Sequence, residues 1–356
     1  MNKNQKPRVR ALKLIFAYPL MAVLLLISSC GDQDQAEHLN IITIAGISGE
    51  FRSPQGIARD VQGNLFVADR SNNWIRKIAQ DGTVSTFAGS GTAGFADGAG
   101  TTAMFSRPSG LAIDALGNLY VGDEGNNRVR IIAPDGMVST FAGTGEKGFA
   151  DGPASLAKFN VPSQVALDKH GNVYVTDMSN YRIRKITPQG LVSTFAGSGI
   201  RGTENGSSTE AQFLWLCGIA VDEQGSVYVG DFYGIRKISP DGVVSSFSGI
   251  GSGESVDGNI STAKFTNAAA FTIDCLGNIY VADYGNNRIR VITPEGTVGT
   301  LVKNYTTETG GDKVMYPMGI TVDAYNNIYI TDYVKDIVSK IESKQASPVC
   351  SDVVRE

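Results

Sequence analysis

A pattern that recurs six times along the chain constrains its fold more than any other feature. Each copy contains an apolar run that ends in Asp, a turn with Gly or Asn, and a second apolar run that ends in Asp. In the first five copies a stretch that ends in Arg follows, such as "NNRIR". The first Asp recurs at intervals of 54, 54, 54, 52 and 49 residues, at Asp60, Asp114, Asp168, Asp222, Asp274 and Asp323. Periods of this length indicate stacked supersecondary units that bury a continuous core between neighbours.

Each copy contains four candidate strands, which we label a to d. In the second copy they cover residues 110–114, 119–123, 128–133 and 138–143. The segments between them, "ALGN", "EGNN" and "PDG", are typical of turns because Pro presets φ and Gly accepts positive φ. Four-stranded units repeated six times predict an all-β, six-bladed β-propeller, which protects its sheet edges by closing into a ring.

The N-terminal segment "NIITIAG" matches the end of a repeat whose beginning is missing. The sixth copy shows the opposite defect, because it supplies strands a, b and c and then loses the pattern. We therefore predict that the N-terminal segment forms strand d of the last blade. The propeller would span 39–343, followed by a C-terminal tail over 344–356.

Segments such as "GNLYVGDEGNNRVRII" and "GNIYVADYGNNRIRVI" resemble the NHL repeat family over nearly all of residues 39–343. The resemblance implies a six-bladed propeller. NHL-like propellers include protein-binding platforms, RNA binders, sensor domains and a few lyases or lactonases. The resemblance is therefore specific for the fold and weak for the function.

The first 29 residues have the features of a targeting signal. A basic segment precedes an apolar run from Leu14 to Ile27, which is shorter than the roughly 20 residues that a membrane-spanning helix needs. The following "LLISSC" resembles a bacterial lipobox, which predicts a lipoprotein signal peptide over 1–29, lipidation (palmitate among the acyl chains) at Cys30 and a tether over 30–38. An ordinary secretory signal is the alternative. We expect a lipid-anchored protein of the bacterial cell envelope, periplasmic or exposed on the outer membrane.

Charge and cysteine content narrow the classes of partner. The signal removes five of the 31 Lys and Arg residues and no acid, so the mature chain carries a net charge of about −9. This argues against nucleic-acid binding, which needs a basic surface, and we expect a monomeric propeller. Cys217 and Cys275 should lie at opposite ends of the channel, roughly 17–20 Å apart at about 3.3 Å per residue, so we predict that both are free.

Two repeated residue types have a structural interpretation. The Asp that ends strand b is expected to cap the b–c loop by accepting its backbone N–H groups. These caps are Asp69, Asp123, Asp177, Asp231, Asp283 and Asp332. An Arg on strand c is expected to brace neighbouring loops or blades, and Val338 replaces it in the sixth copy. The Arg residues are Arg76, Arg130, Arg184, Arg236 and Arg290.

The long d–a connections each contain Asp or Asn before Gly, at positions 97, 151, 205 and 257, and then a Phe expected to pin the connection to its blade. The pinning residues are Phe105, Phe159, Phe213 and Phe265. Calcium binding by these oxygen-rich connections is conceivable, although Ca²⁺ takes six to eight oxygen ligands and no second carboxylate is clustered nearby. We otherwise expect no metal or cofactor.

The d–a connections and b–c loops share one end of the propeller, which we call the long-loop face. The a–b and c–d turns form the opposite, tight-turn face. Binding residues concentrate on loops that a rigid scaffold holds, and exposed Tyr and Trp anchor partners well. We therefore predict a recognition surface formed by Arg70, Arg107, Glu124, Trp215, Phe232, Tyr233, Tyr284, Tyr316 and Tyr333. The alternative is that the aromatic residues only pack the loops together.

Candidate catalytic residues are few. The two His residues, His38 and His170, lie in the tether and in an a–b turn. Resemblance to amidating lyases would imply a His-rich metal site in the channel, and resemblance to lactonases would imply Glu, Asn and Asp around calcium. Strand a carries no acid before its closing Asp, and Cys217 lacks a His partner. We predict a module that binds a protein, peptide or glycan, with a catalytic propeller of the lyase or lactonase type as the alternative.

Overall fold

The computed structural model describes residues 39–249, 251, 255–303, 316–345 and 347–349. These residues form six antiparallel sheets of four or five strands each. Strand a of each sheet contacts strand a of the two neighbouring sheets, so that the six a strands close a ring. The predicted all-β, six-bladed β-propeller is confirmed, and we number its blades 1 to 6 along the chain.

The strands of blades 1 to 3 have nearly the same lengths. Blade 1 consists of β2 (Pro54–Arg59), β3 (Leu65–Asp69), β4 (Trp74–Ile78) and β5 (Val84–Ala88). Blade 2 consists of β6 (Pro108–Ile113), β7 (Leu119–Asp123), β8 (Arg128–Ile132) and β9 (Val138–Ala142). Blade 3 consists of the short outer strand β10 (Gly152–Pro153), β11 (Pro162–Leu167), β12 (Val173–Asp177), β13 (Arg182–Ile186) and β14 (Leu191–Ala196).

Blades 4 to 6 follow the same plan. Blade 4 consists of β15 (Leu216–Val221), β16 (Val227–Asp231), β17 (Gly234–Ile238) and β18 (Val244–Ser246). Blade 5 consists of the short outer strand β19 (Gly258–Asn259), β20 (Ala268–Ile273), β21 (Ile279–Asp283), β22 (Arg288–Ile292) and β23 (Thr297–Lys303). Blade 6 consists of β24 (Pro317–Val322), β25 (Ile328–Asp332), β26 (Ile337–Ile341) and β1 (Ile41–Ala45).

The N-terminal strand closes the ring, as predicted. β1 pairs antiparallel with β26, with Ile41 opposite Ile341 and Thr43 opposite Ser339. Outside the ladder, the N–H of Glu342 donates to the carbonyl of Asn40 at 2.9 Å. The last blade is therefore built from both ends of the described chain, and the fold requires contacts nearly 300 residues apart in sequence.

The b–c loops hold their first residues in a repeated geometry. In four blades the loop is a 3-10 helix that starts directly after the strand-b Asp, and the residue after the helix has a positive φ near 50–56°. These helices span Arg70–Asn72, Glu124–Asn126, Met178–Asn180 and Tyr284–Asn286. Asn occupies the positive-φ position in three of the four helices, because Asn tolerates the left-handed region better than most residues. The loop residue after each Asp is thus fixed on the long-loop face.

Apolar packing between neighbouring blades forms the core. The predicted pinning residues Phe105, Phe159, Phe213 and Phe265 are completely buried. The d–a connections also cover the outer edges of the sheets, since β10 pairs with β14, β19 pairs with β23, and Gly98 forms a bridge with Val138. Covering these edges removes unpaired backbone groups that would otherwise template aggregation.

One cysteine prediction is wrong. Cys217 is free, as expected, but Cys275 is disulfide-bonded, and its partner lies outside the described residues. A large separation between Cys217 and Cys275 excludes a bond between these two cysteines but not a bond from Cys275 to another cysteine. Part of the predicted C-terminal tail contacts the propeller, because the N–H of Val349 donates to the carbonyl of Ala324 at 2.7 Å, in the a–b turn of blade 6.

The predicted signal peptide, Cys30 and the tether lie outside the described residues, as does Cys350. Within the part of the chain that the structure describes, there is no helix both long and apolar enough to cross a membrane.

Candidate functional site

The repeated Asp and Arg residues form buried networks that hold the d–a connections onto the blades. In blade 3 the completely buried Arg184 donates to Asp177 at 2.8 Å and to Asp151 at 2.6 Å, and also to the backbone carbonyls of Ala150 and Lys158. Arg130, Arg236 and Arg290 make equivalent contacts in blades 2, 4 and 5. The predicted bracing role is therefore observed between strand c and the preceding connection.

Blades 1 and 6 depart from this network. In blade 1 the guanidinium of Arg76 lies 5.1 Å from the ring of Trp74 and 5.9 Å from that of Phe51. In blade 6 Val338 is completely buried in an apolar cluster that includes Phe51 and Ile57. Both departures lie next to the seam where β1 joins the ring.

The backbone donors to the strand-b Asp differ from those expected. Asp123 accepts from the N–H of Ser106 at 2.8 Å, in the connection before strand a, and not from the b–c loop. The equivalent donors in blades 1, 3, 4 and 5 are Arg52, Asn160, Leu214 and Thr266. Among the described residues, Asp332 alone accepts backbone N–H groups of its own b–c loop, those of Val334 and Lys335 at 3.1 and 2.9 Å. The Asp residues of blades 1, 2, 3 and 5 accept instead from the side-chain amide of a loop Asn. The Asp residues thus fix the entry of strand a as well as the loop.

The ion pairs between the d–a connections and the strand-c Arg residues occupy the carboxylate oxygens that were candidates for binding calcium. The carboxylates of Asp97, Asp151 and Asp257 each lie 2.6 Å from a buried Arg and also accept hydrogen bonds from a Thr of strand d. A bound cation would have to compete with the guanidinium. The described residues contain no group of three or more His, Cys, Asp or Glu arranged to hold a metal.

Asp69 should make stability depend on pH. Burial raises the pKa of Asp69 from 3.8 to about 6. Its contribution to the free energy of unfolding is therefore fully present below pH 3.8 and is lost as the pH rises through 6, because the folded state binds the proton more tightly in this window. We expect Asp69→Asn to reduce the loss of stability between pH 4 and pH 7 by about 2 kcal/mol, measured by urea unfolding at each pH.

Asp135, in an exposed c–d turn, provides the matched control. Asp135→Asn removes one carboxylate as Asp69→Asn does, and the pH dependence of Asp69→Asn is compared with that of this variant. An equal pH dependence in Asp69→Asn and the wild type would contradict the assignment to Asp69.

The aromatic residues expected at the long-loop face lie there in blades 4, 5 and 6. We call Trp215, Phe232, Tyr233, Tyr284, Tyr316 and Tyr333 the aromatic arc. The rings of Phe232 and Tyr233 stack edge to face at 4.5 Å between centroids, and those of Tyr284 and Tyr316 lie 5.8 Å apart. Trp215 is 47% exposed, and the other members are partly exposed. The arc therefore combines internal packing with an accessible surface.

Backbone contacts hold the arc in place. The N–H of Trp215 donates to Asp231 at 3.0 Å, and the N–H of Tyr333 donates to the carbonyl of Tyr316 at 3.0 Å. Burial and the neighbouring hydroxyls of Tyr333 and Tyr316 raise the pKa of Tyr284, which keeps it neutral at physiological pH. A preorganised set of rings loses little conformational entropy when a partner binds.

The charged residues of the predicted surface are placed differently. Arg107 is exposed on the long-loop face. Glu124, however, is only 6% exposed and pairs with Arg70 at 2.9 Å. The other carboxylate oxygen of Glu124 accepts a hydrogen bond from the buried Ser163 at 2.8 Å, which holds the side chain in the interior. Glu124 is therefore unavailable to a large partner on the surface.

Glu124 and Arg70 belong to a polar chain at the long-loop end of the channel, which sequence analysis did not detect. Ser163 lies 3.1 Å from Ser109, and Ser109 donates to Gln55 at 2.7 Å. Gln55, Ser109 and Ser163 occupy the second position of strand a in blades 1, 2 and 3, where blades 5 and 6 have Ala269 and Met318. Comparing this position across the copies would have revealed the polar half-ring.

Cys217 occupies the same position in blade 4. Its thiol donates to the side-chain oxygen of Asn267 at 2.8 Å. Although part of the residue is accessible, burial of the sulfur raises the pKa of the Cys217 thiol to about 12. A thiol with this pKa is almost entirely protonated at neutral pH and is a poor nucleophile.

A cavity of about 570 Å³ occupies the rest of the channel. All six blades line it with residues from the middle and end of strand a, and the a–b turns of blades 4 and 5 extend it on the tight-turn face. Most of the strand residues that line it are apolar, which is expected of a module that binds its ligand on the outer rim. The polar chain at the other end of the channel is expected instead of a catalytic propeller.

Comparison with known proteins identifies the repeat. A model of the NHL repeat matches residues 51–78, 105–132 and 265–292, which lie in blades 1, 2 and 5. The chain is 27% identical over 263 residues to the chloroplastic protein SUPPRESSOR OF QUENCHING 1 of Arabidopsis thaliana, covering 68% of this chain and 25% of that protein. It is 31% identical over 149 residues to NHL repeat-containing protein 2 of Gallus gallus, covering 38% and 20%. The chain thus spans a quarter or less of these relatives.

Solved structures with the same architecture have diverse activities. A gluconolactonase from Xanthomonas campestris aligns with a TM-score of 0.59 and 14% identity, covering 84% of this chain and 88% of that one. Virginiamycin B lyase from Staphylococcus aureus aligns with a TM-score of 0.53 and 17% identity, covering 85% and 98%. An auxiliary nutrient binding protein from Bacteroides thetaiotaomicron aligns with a TM-score of 0.59 and 13% identity, covering 82% and 69%. At these identities the likeness shows the fold alone.

Proposed function

Because the chain carries NHL repeats folded into a six-bladed β-propeller, we propose that it is a binding module of the bacterial cell envelope. It recognises a protein, peptide or glycan through the aromatic arc of the long-loop face. The observation that carries this proposal is the accessible ring of Trp215 on the face that also holds two packed aromatic pairs, one within blade 4 and one between blades 5 and 6.

The arc has the physical properties of an interaction hot spot. Trp and Tyr dominate the binding energy of many interfaces, because they bury large apolar areas and still offer a hydrogen-bonding group. Arg107 supplies an exposed cation on the same face. Arg70 and Glu124 form an ion pair with each other. In this proposal they stabilise the long-loop end of the channel and do not contact the ligand.

We expect that changing Trp215, Tyr284 and Tyr316 together to Ala abolishes capture of the ligand. The experiment compares pull-downs from solubilised envelope and from a library of envelope glycans, using wild type and triple variant as baits. Each of these truncations removes an aromatic contact of the kind that contributes at least 2 kcal/mol at hot spots, so the combined loss should exceed a hundredfold.

The matched control changes three exposed apolar residues of the tight-turn face, Leu116, Leu191 and Val243, to Ser. This variant should capture the ligand as the wild type does. If both variants capture the ligand equally and circular dichroism shows that both are folded, the aromatic arc only packs the loops together and does not bind the ligand.

A catalytic propeller acting on a small molecule is the second candidate, favoured by the polar chain from Arg70 to Gln55 at the channel mouth. Two features make it less well supported. Both oxygens of Glu124 already accept hydrogen bonds, and burial raises the pKa of Cys217 to about 12. Hydrolysis of lactones by the wild type but not by Glu124→Gln would favour this candidate.

The envelope location follows from the sequence motif that ends in Cys30. We expect Cys30→Ser to abolish incorporation of a clickable palmitate analogue in a bacterial host and to move the protein from the membrane fraction to the soluble fraction. Cys217→Ser, which removes the free thiol of blade 4, is the control and should retain the label. Labelling of the Cys30→Ser variant would contradict lipidation at this residue.

A further inference from the structure

We propose that the outer edge of blade 1 is a second binding site, which takes an extended segment of a partner protein that carries Asp followed by Gly. The segment adds a strand beside β5, and its Asp pairs with Arg76. The aromatic arc belongs to blades 4, 5 and 6, so the site on blade 1 does not depend on the function proposed for the arc.

The d–a connections of blades 2 to 5 cover the outer edges of their sheets with one repeated contact. In blade 2 the N–H of Gly98 donates to the carbonyl of Val138 at 2.9 Å, and the N–H of Val138 donates to the carbonyl of Gly98 at 2.9 Å. Asp97 pairs with Arg130 at 2.6 Å and accepts a hydrogen bond from Thr140 at 3.0 Å. The glycines that pair with strand d in blades 3, 4 and 5 are Gly152, Gly206 and Gly258. Asp or Asn followed by Gly thus fills the same place in four blades.

Blade 1 lacks the segment that covers the other edges. The connection before its strand a spans 46–53, whereas the connection before strand a of blade 2 spans 89–107. The short connection keeps a buried Phe at the pinning position, Phe51, but contains no Asp. Among the described residues, none pairs with β5 on its outer side. Val84 is accordingly partly exposed, whereas the equivalent Val138 is 1% exposed.

Blade 1 nevertheless has the side chains that hold this segment in the other blades. Arg76 corresponds to Arg130, yet within the described chain its guanidinium makes no hydrogen bond or ion pair, and its Nε is buried without a partner. Asp69 attracts this guanidinium electrostatically but forms no ion pair with it. Thr86 corresponds to Thr140, and its exposed hydroxyl makes no hydrogen bond to any described residue. The edge of blade 1 therefore has the contacts of a covered edge with nothing in place to use them.

An extended acidic segment would satisfy both unpaired features of this edge. An exposed strand edge offers N–H and C=O groups with which an extended peptide can pair. A carboxylate would give the partly buried guanidinium of Arg76 a charge-assisted hydrogen bond, which is stronger than a bond between neutral groups. The carboxylate must come directly before the residue that pairs with Val84, as Asp97 comes directly before Gly98.

The residue after the Asp must be Gly. The four glycines at this place have φ between 121° and 145°, which residues with a side chain rarely adopt. Outside the described residues the sequence has no Asp followed by Gly. The Asp–Gly pairs of the described chain lie in its own d–a connections and c–d turns. The segment that fits blade 1 therefore comes from another protein.

The test is a fluorescence anisotropy titration of the purified full chain in detergent. The probe is a labelled peptide with blocked ends and the sequence of residues 147–155, "KGFADGPAS", which covers the edge of blade 3. Arg76→Gln should weaken binding of this peptide about tenfold, as expected for one charge-assisted hydrogen bond. Asp151→Asn in the peptide should weaken binding to the wild type by a similar factor and should have little further effect with Arg76→Gln. Trp215→Ala, on the aromatic arc, should bind the peptide as the wild type does.

A second variant tests the strand edge itself. Val84→Pro removes the N–H that would pair with the peptide, and Pro is tolerated on an edge strand where its nitrogen faces solvent. This variant should lose binding while circular dichroism shows that it is folded. The proposal is overturned if the wild type does not bind the peptide, if Arg76→Gln binds it as tightly as the wild type, or if folded Val84→Pro retains binding.

The variant that begins at Leu39 tests whether the chain covers its own edge. It should bind the peptide as tightly as the full chain does. Binding by this variant and not by the full chain would show that the N-terminal segment occupies the edge of blade 1, and would overturn the proposal of a partner protein.

Discussion

Replacing Arg184 with Val, the residue that blade 6 carries at the equivalent position 338, is expected to lower the free energy of unfolding by about 3–5 kcal/mol. Arg184 and Asp177 are both completely buried and lie 2.8 Å apart. Burial already raises the pKa of Asp177, and loss of the guanidinium would leave its carboxylate without a counter-charge. The carbonyls of Ala150 and Lys158 would also each lose one of their two donors. Urea unfolding followed by circular dichroism measures the loss.

Two further variants separate the buried ion pair from general loss of packing. Arg182→Val removes a partly exposed guanidinium that lies 4.0 Å from the ring of Phe149, and should cost about 1 kcal/mol. Adding Asp177→Asn to Arg184→Val removes the uncompensated charge and should restore part of the lost stability. A cost below about 1 kcal/mol for Arg184→Val, or no recovery in the double variant, would show that the network is not a stabilising brace.

The architecture was predictable because it depends on local signals that recur in every copy. The strand and turn patterns place strand b of blade 2 at residues 119–123, as observed for β7. The incomplete first and last copies also predicted the pairing of β1 with β26. These features follow from hydrophobic periodicity and turn chemistry, which a single sequence displays directly.

The buried networks were only half predictable. The Asp before Gly in each connection resembles a turn residue, and its ion pair with an Arg 33 residues later has no local signature. A signal was nevertheless present. The Asp or Asn before Gly, the pinning Phe and the strand-c Arg occur together in copies 2 to 5, whereas the sixth copy has lost the Arg. Joint occurrence across copies indicates contact where a single copy does not.

The candidate site was least predictable where neighbouring blades differ. Glu124 was expected on the surface because Arg70 and Tyr284 share its position in the repeat, yet the ion pair with Arg70 and the hydrogen bond from Ser163 place it in the interior. Both partners come from adjacent blades. Aligning the copies shows which residues are equivalent, but not which equivalent residues meet across the channel.

A variant that begins at Gly46, and so lacks β1, should lose about 4 kcal/mol or more of stability relative to one that begins at Leu39. Ile41, Ile42 and Ile44 are partly buried, and each would forfeit roughly 1.5 kcal/mol of apolar burial. The deletion also exposes the edge of β26, which invites pairing with another chain. We expect a lower urea midpoint and, by size-exclusion chromatography, a shift from monomers to dimers or larger species.

The variant that begins at Leu39 is the matched control, because it retains β1 and the hydrogen bonds between Asn40 and Glu342. It should unfold in one cooperative transition and remain monomeric. The seam has a second tie, since the N–H of Ser53 donates to Asp336 at 2.6 Å between blades 1 and 6. If this tie alone closed the ring, the variant beginning at Gly46 would match the control in midpoint and size, and β1 would be dispensable. Loss of stability in that variant, with Ser53 and Asp336 intact, would instead assign closure of the ring to the N-terminal strand.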